Sequence, residues 1–316
     1  INSKEVKKNN IFFGIKGKNL DGNKFANEAI KKGASVSVVD KSYEKKIKNK
    51  IKVENTLKLL TESAAKIRVS SNIIAIGITG SAGKTSLKEL LGQSLSSIYN
   101  TTYSKKSFNN KYGVPISLFN INKKDKFGIF EIGMDKKGEI NSLSQIIKPN
   151  MGVITNISYA HSKNFKNLFG IAKAKSEIID NIIENGSIVL NADDKFYNYF
   201  KLKALKRSLK ITSFSINNKS NIKLEKVKSL KNIIILKINI NGSSKNFIIK
   251  KNLEFYIENI LASIAVISNY LDLKNINKKF FYNYSLPEGR GDYNYIKINN
   301  KKIHLIDESY NSNPLS

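Results

Sequence analysis

Apolar positions along the chain change their rhythm twice. In the first seventy residues short apolar runs alternate with helical spacing. "NIFFGIKG" reads as a strand closed by glycine, and "NKFANEAIKKGA" puts Phe25, Ala29 and Ile30 on one helical face with Gly33 placed to stop it. "SVSVVD" is the next strand, "TLKLLTESAAKIRVSS" an amphipathic helix, and "RVSSN" a polar hinge that marks a domain boundary near Ser70. Beyond it the runs become continuous. Residues 73–78, 127–132, 152–157, 187–191 and 211–215 are short apolar stretches with helical segments between several of them. Continuous runs belong to strands covered on both faces, so the pattern predicts a mostly parallel α/β sheet flanked by helices. From about Asn221 the text alternates and turns polar, and "NIIILKINING" with "SKNFIIKK" predicts a hairpin turning at Asn241-Gly242. A helix over 256–269, the loop "SLPEGRG" and a last hairpin-like pair ending "KKIHLIDESYNSNP" follow. The expected organisation is a small α/β domain over 1–70 and a larger α/β domain over 71–316.

The first continuous run opens the stretch with the most chemistry, "NIIAIGITGSAGKTSLKELLGQSL". It reads as strand, glycine loop and helix, the context a phosphate-binding loop requires. Successive backbone N–H groups face one concavity, the helix start favours anions, lysine adds a point charge and Thr or Ser can ligate Mg2+. Ile78 stands where the full pattern has its first glycine, so the match is the shorter GxxGKT of Gly80, Gly83, Lys84 and Thr85. Glu131 closes the apolar run "FGIFEIG". Ligands of open α/β sheets bind beyond the carboxyl ends of strands, where a carboxylate can hold a nucleotide's metal.

Composition alters this picture little. The chain has 316 residues, 41% of them hydrophobic, enough for roughly two domains of ~100–200 residues each. No window approaches the ~20 apolar residues that span a bilayer, and with no cysteine there is no disulfide, thiolate nucleophile or thiolate zinc site. The expected location is cytoplasmic. The chain starts at Ile1, so its natural beginning is expected to be missing. The net charge of +29 invites a nucleic-acid reading. The lysines, however, are spread evenly among Asn and Ile, as in "KKIKNKIKVENTLK", and gather in no basic arm. They are read as solvated faces that attract small polyanions, with no nucleic-acid partner and no membrane insertion.

The loop "GITGSAGKTS", with "SFNNKYGVPISL", "FEIGMDKKGEI", "TNISYAHSKNFKNLFGIAKAKSEI" and "IDESYNSNP", resembles the Mur ligases, the ATP-dependent amide-forming enzymes of peptidoglycan precursor synthesis. The blocks are most similar to the branch that joins D-alanyl-D-alanine to UDP-N-acetylmuramoyl-tripeptide. The start, "NSKEVKKNNIFFGIKGKNLDGNKFANEAIKKGA", is similar to that branch's precursor-binding domain. The resemblance implies activation of a precursor carboxylate as an acyl phosphate, followed by attack of the dipeptide amine. It implies ATP along Thr79, Gly80, Ser81, Ala82, Gly83, Lys84, Thr85 and Ser86, with Asn191, Asp194, Asn259 and Arg290 towards the nucleoside. It implies Mg2+ at Thr85, Glu131 and His161, the last near a second cation, and a carbamate on Lys175 that shares the metal. Asn109 and Asn110 would orient substrate or phosphate oxygens, with Asn110 placed among the catalytic group beside Lys84, Glu131, His161 and Lys175. Ser3 and Lys4 would meet the nucleotide-sugar, with Lys4 where the family has arginine, and Asp307, Tyr310, Asn311 and Asn313 would help close the site. His304 is read as structural. Where the family often shows His-Asn before the helix asparagine, Phe255 and Tyr256 precede Asn259. The family's third, Rossmann-like domain is expected to be absent, which makes the chain a monomeric fragment of poor or no turnover by itself. A ligase of the same family adding a different amino acid, and a nucleic-acid-binding P-loop ATPase, are the alternatives.

Overall fold

Every continuous apolar run becomes a strand of one sheet, and the loop after the first of them lies where the strand order reverses. The computed structural model describes residues 1–159, 164–287, 289, 292–299 and 301–307. They fall into two units, Ile1–Ser70 and Ser71–Ser316. The first holds β1 (Ile11–Phe13), α1 (Ala26–Lys31), β2 (Val36–Asp40), β3 (Lys50–Val53) and α2 (Thr56–Ser70), with its strands parallel in the order β1-β2-β3. Phe12, Ala26, Ala29 and Val39 form its core, and Gly33, at φ +105°, turns the chain after α1 as the sequence predicts.

The second unit starts with β4 (Ile74–Thr79), α3 (Lys84–Ser96), β5 (Thr101–Tyr103), α4 (Gly113–Phe119) and β6 (Phe127–Glu131). It continues through α5 (Glu139–Ile147), β7 (Met151–Ile154), α6 (Leu168–Lys175), α7 (Glu177–Asp180), β8 (Ser187–Asn191), α8 (Tyr197–Lys206) and β9 (Lys210–Ser215). Then follow β10 (Ile222–Ser229), β11 (Ile233–Ile240), β12 (Ser243–Lys250), α9 (Ile257–Ile267) and a separate pair, β13 (Asp292–Ile298) and β14 (Lys301–Asp307). The sheet runs β12-β11-β10-β9-β8-β7-β4-β6-β5. It is parallel from β5 to β10, and the two last strands are antiparallel. The β11–β12 hairpin turns at Asn241 and Gly242, both at positive φ (50° and 95°), as the twist of a two-residue loop demands.

Two helices secure the phosphate-loop strand. Leu87, Leu90, Leu91 and Leu95 of α3 share a core with Ile260, Leu261 and Ile264 of α9 and with Ile76 and Ile78 of β4. Each such fully buried side chain contributes about 1.5–3 kcal/mol of apolar burial. Chain order sends β5 and β6 to one side of β4, and β7, β8 and β9 to the other. The crevice at the carboxyl end of β4 is therefore a topological switch point. Register puts Glu131 opposite Ile78 and Ile154 opposite Thr79, so the ends of three strands converge there.

The sequence extends the strand of β7 to residue 157, but it stops at Ile154 because Thr155 and Asn156 turn their side chains to the phosphate loop. The sequence also passes over β3, β5 and β10. No helix among the described residues is long and apolar enough to cross a membrane.

Candidate functional site

Gly80, at φ +146°, and Gly83, at φ +79°, shape the loop between β4 and α3. A Cβ on Gly80 would lie 1.8 Å from Thr155 Oγ1, and one on Gly83 would lie 2.9 Å from Asn259 Oδ1. Only glycine lets the loop close against both neighbours. Gly83 hands over to the first turn of α3, whose backbone N–H groups and dipole make an anion site. At the base of the loop Thr79 Oγ1 is buried without a hydrogen-bond partner.

An oxygen of that turn and one from the end of β6 meet beside the loop. Thr85 Oγ1 donates to Glu131 Oε2 at 2.8 Å, and Asn109 Nδ2 donates to Glu131 Oε1 at 2.7 Å. Ser107 Oγ lies 3.2 Å from Thr85 Oγ1. Glu131 is 1% exposed, so its carboxylate is held in one place by these partners. A hydroxyl and a carboxylate are hard donors that fit Mg2+, which takes one or two protein oxygens and leaves the rest to phosphates and water. Among the described residues no three His, Cys, Asp or Glu side chains cluster into a cage of their own. The pair thus fits a cation that arrives with a nucleotide.

Two lysines complete the floor. Lys84 Nζ donates to Gly80 O at 2.9 Å and to Ser81 O at 3.2 Å, and Lys175 Nζ donates to the same Gly80 O at 2.8 Å. Lys175 is 1% exposed, and burial, then the charge of Lys84, pushes its pKa well below the ordinary lysine value. The cleft around these groups has a volume of about 1010 Å3 and is bounded further by Asn110, Lys111, Tyr112, Lys137 and Glu139.

The profile of the Mur ligase middle domain matches residues 78–267 of this chain, and that of the Mur ligase family catalytic domain matches residues 1–76. The chain belongs to the Mur ligase family. It is 35% identical, over 97% of its length, to the UDP-N-acetylmuramoyl-tripeptide–D-alanyl-D-alanine ligase of Buchnera aphidicola subsp. Baizongia pistaciae, of which it covers 66%. It is 35% identical, over its whole length, to the ligase of the same name from Rickettsia prowazekii, of which it covers 70%. A MurF crystal structure from Acinetobacter baumannii superposes with a TM-score of 0.86 at 26% identity, over 99% of this chain and 68% of that one. The chain therefore spans about two thirds of the length of these relatives.

In this Mur ligase the loop is clamped from β7. Thr155 Oγ1 donates to Ala82 O at 2.6 Å, Asn156 Oδ1 accepts from Ala82 N at 2.9 Å, and Ser81 N donates to Asn156 O at 2.9 Å. Ser81 Oγ donates to Ser158 O at 3.1 Å and accepts from Ser158 N at 2.9 Å. Asp194 anchors the clamp, accepting from Ile157 N at 2.7 Å and Phe196 N at 2.8 Å. Burial raises the Asp194 pKa, against these two bonds. Asn156→Ala removes an acceptor from a loop N–H. It is expected to lower unfolding free energy by about 1–2 kcal/mol, read by denaturant titration, and to weaken nucleotide binding; unchanged values for both would remove the clamp.

The structure brings together Lys84, Thr85, Glu131, Lys175 and Asn109, and sets Asn259 against Gly83. Asn110 lines the same cleft, but its Oδ1 accepts from Tyr112 N and Gly113 N, both at 3.0 Å, and so starts α4. Ser86 is buried on α3, and Asn191 Oδ1 accepts from Asp193 N at 2.9 Å. In the first unit Ser3 is buried and Lys4 exposed. There a crevice of about 450 Å3 opens beyond the carboxyl ends of β1, β2 and β3, lined by Lys16, Lys41 and the start of α2. His161, Arg290, Tyr310, Asn311 and Asn313 lie outside the described residues, as do the side chains of His304 and Asp307. Sequence reasoning misses Ser107 and the Thr155–Asn156–Ser158 clamp. A run of short polar residues immediately after an apolar strand was the available signal.

Proposed function

We propose that the chain binds ATP and a UDP-linked muramoyl peptide for an ATP-dependent ligase that joins UDP-N-acetylmuramoyl-tripeptide to D-alanyl-D-alanine. The Thr85–Glu131 pair, at the start of α3 with Lys84 and Lys175 lining the same cleft, carries this reading. The cleft meets the physical difficulty of the first step, the approach of a carboxylate to a triphosphate. Loop N–H groups and Lys84 balance the phosphate charge and hold its orientation. The carboxylate oxygen attacks the γ-phosphorus, the bond to ADP breaks, and an acyl phosphate remains. The dipeptide amine then attacks the acyl carbon, loses its proton and expels phosphate. Mg2+ bound at Thr85 and Glu131 would neutralise phosphate oxygens. Lys111 and Lys137, at the cleft wall, suit an anionic peptide. The crevice of the first unit, with Lys16 and Lys41, suits the nucleotide end of the precursor.

Lys175 supports a carbamate. A buried amine with a lowered pKa is uncharged more readily, and the uncharged form attacks CO2, forming a C–N bond and releasing one proton. The carbamate would be a carboxylate-like oxygen donor beside Glu131.

Phosphate release from ATP by the complete gene product tests the reading. Release is expected to require the UDP-peptide and D-alanyl-D-alanine together. Release with a single amino acid instead would assign another family activity. Stimulation by DNA or RNA, falling steeply with salt, would overturn it in favour of the basic surface.

A further inference from the structure

Lys88 lies one turn along α3 from Lys84, on a helix that also buries Leu87, Leu90, Leu91 and Leu95. It is 0% exposed, yet its ammonium is fully partnered: Glu89 Oε1 at 2.5 Å, Ser104 O at 2.6 Å and Lys106 O at 2.7 Å. An ammonium has three protons, and all three are placed. The Tyr103 ring adds a cation–π contact, with its centroid 5.9 Å from Nζ. A buried cation destabilises unless it is paired and hydrogen-bonded, and an apolar side chain would fill the space at lower cost. Packing alone does not explain a lysine here.

The two carbonyls it holds flank Lys105, just where the chain leaves β5. Lys106 sits at φ +48°, a left-handed conformation that is unfavourable for a non-glycine residue and persists only where the surroundings enforce it. The next residues deliver Ser107 to Thr85 and Asn109 to Glu131. Gly133 N, donating to Asn109 O at 2.8 Å, and Phe108 N, donating to Lys105 O at 3.1 Å, carry the segment on.

We propose that Lys88 is a positioning residue for the cation–nucleotide site: its ammonium fixes the backbone turn at residues 104–106, which sets Ser107 and Asn109 against the Thr85–Glu131 pair. Lys88 itself is not among the residues that line the cleft. The proposal rests on the Mg2+–nucleotide reading of this cleft, and the test separates the two. A fluorescent ATP analogue is bound to the complete protein while Mg2+ is titrated, for the wild type, Lys88→Met and Lys88→Arg. Lys88→Met, of similar length and without donors, is expected to raise the Mg2+ concentration for half-maximal binding about tenfold, the usual scale for losing a group that orients a metal ligand. Binding without Mg2+ is expected to stay unchanged, since Lys84 and the loop remain; a merely structural loss would weaken both. Combined with Asn109→Ala, the effects should fall short of additive because they act through one segment. A folded Lys88→Met with an unchanged Mg2+ midpoint overturns the proposal. Should that variant not fold, Lys88→Arg decides. Its planar fork cannot serve the same three oxygens, so the midpoint should rise, and an unchanged one overturns the proposal. A wild type whose nucleotide binding ignores Mg2+ would instead defeat the reading of the cleft.

Discussion

Glu131→Gln is expected to abolish magnesium-dependent phosphate release while the protein folds and melts much as before. The side chain is almost isosteric, and the pocket can satisfy it. Its amide oxygen can still accept from Asn109 Nδ2, while its NH2 group faces Thr85 Oγ1, whose proton can turn to Ser107 Oγ. What disappears is one negative charge at a buried position next to the phosphate loop. In that water-poor place no counter-charge from solvent replaces it. Turnover should fall by about 100-fold or more, because even the outer partners of metal ligands are worth about 10–100-fold. Glu131→Ala is the contrasting variant. It leaves Asn109 Nδ2 without its acceptor, a loss that costs about 1–3 kcal/mol, while the Thr85 hydroxyl can still turn to Ser107 Oγ. Its melting temperature should therefore drop, where that of Glu131→Gln does not. Phosphate release and thermal unfolding measured on both variants check the pair. Near-normal turnover in Glu131→Gln would separate the carboxylate from the chemistry.

Glu131 was legible because its signal is local: a carboxylate ending an apolar strand has few structural explanations. The parallel sheet was legible for the same reason, since strands buried on both faces cannot alternate. β10 was not. It lies where the sheet becomes antiparallel, and its far half is exposed, so "EKVKS" shows no continuous apolar run. Lys88 and Lys175 were opaque for a different reason. Each is one lysine in a chain with 54 basic residues, and its burial is decided by segments far away in sequence. The ammonium of Lys175 meets Gly80, which is 95 positions distant. Only the resemblance of "AKAKSE" to a known family singled that residue out. The Asn156 clamp needed the strand order itself, because β7 is the neighbour of β4 only after the chain has crossed back over the switch point. Local patterns thus reported elements and the phosphate loop, while the residues that immobilise the loop depended on topology.

The same topology sets up the second large effect, at Lys175. Replacement by methionine is expected to raise stability and to remove turnover. The amine is buried beside the Lys84 charge, and its pKa is driven down by that burial first and by Lys84 second. Gly80 O does not need it, because Lys84 Nζ donates to the same oxygen at 2.9 Å. The unfolded chain, with a lysine pKa of about 10.4, holds a proton where the folded chain resists one. Wild-type stability therefore declines as pH falls from about 10 through the interval down to the lowered folded value, and levels off below it. Lys175→Met has no group at residue 175 to titrate. Its advantage in melting temperature should widen as pH is lowered across that interval, measured in CO2-free buffer so that no carbamate forms. Turnover should drop by about 100-fold or more, on the scale of a lost metal-site partner. In Lys175→Ala, added short carboxylic acids should recover part of it by standing in for the proposed carbamate. A variant less stable than wild type at every pH would mean that the amine holds the loop together. Undiminished phosphate release would mean that no carboxylate at residue 175 is required. The two outcomes are independent because stability reports the amine, whereas turnover reports the proposed carbamate.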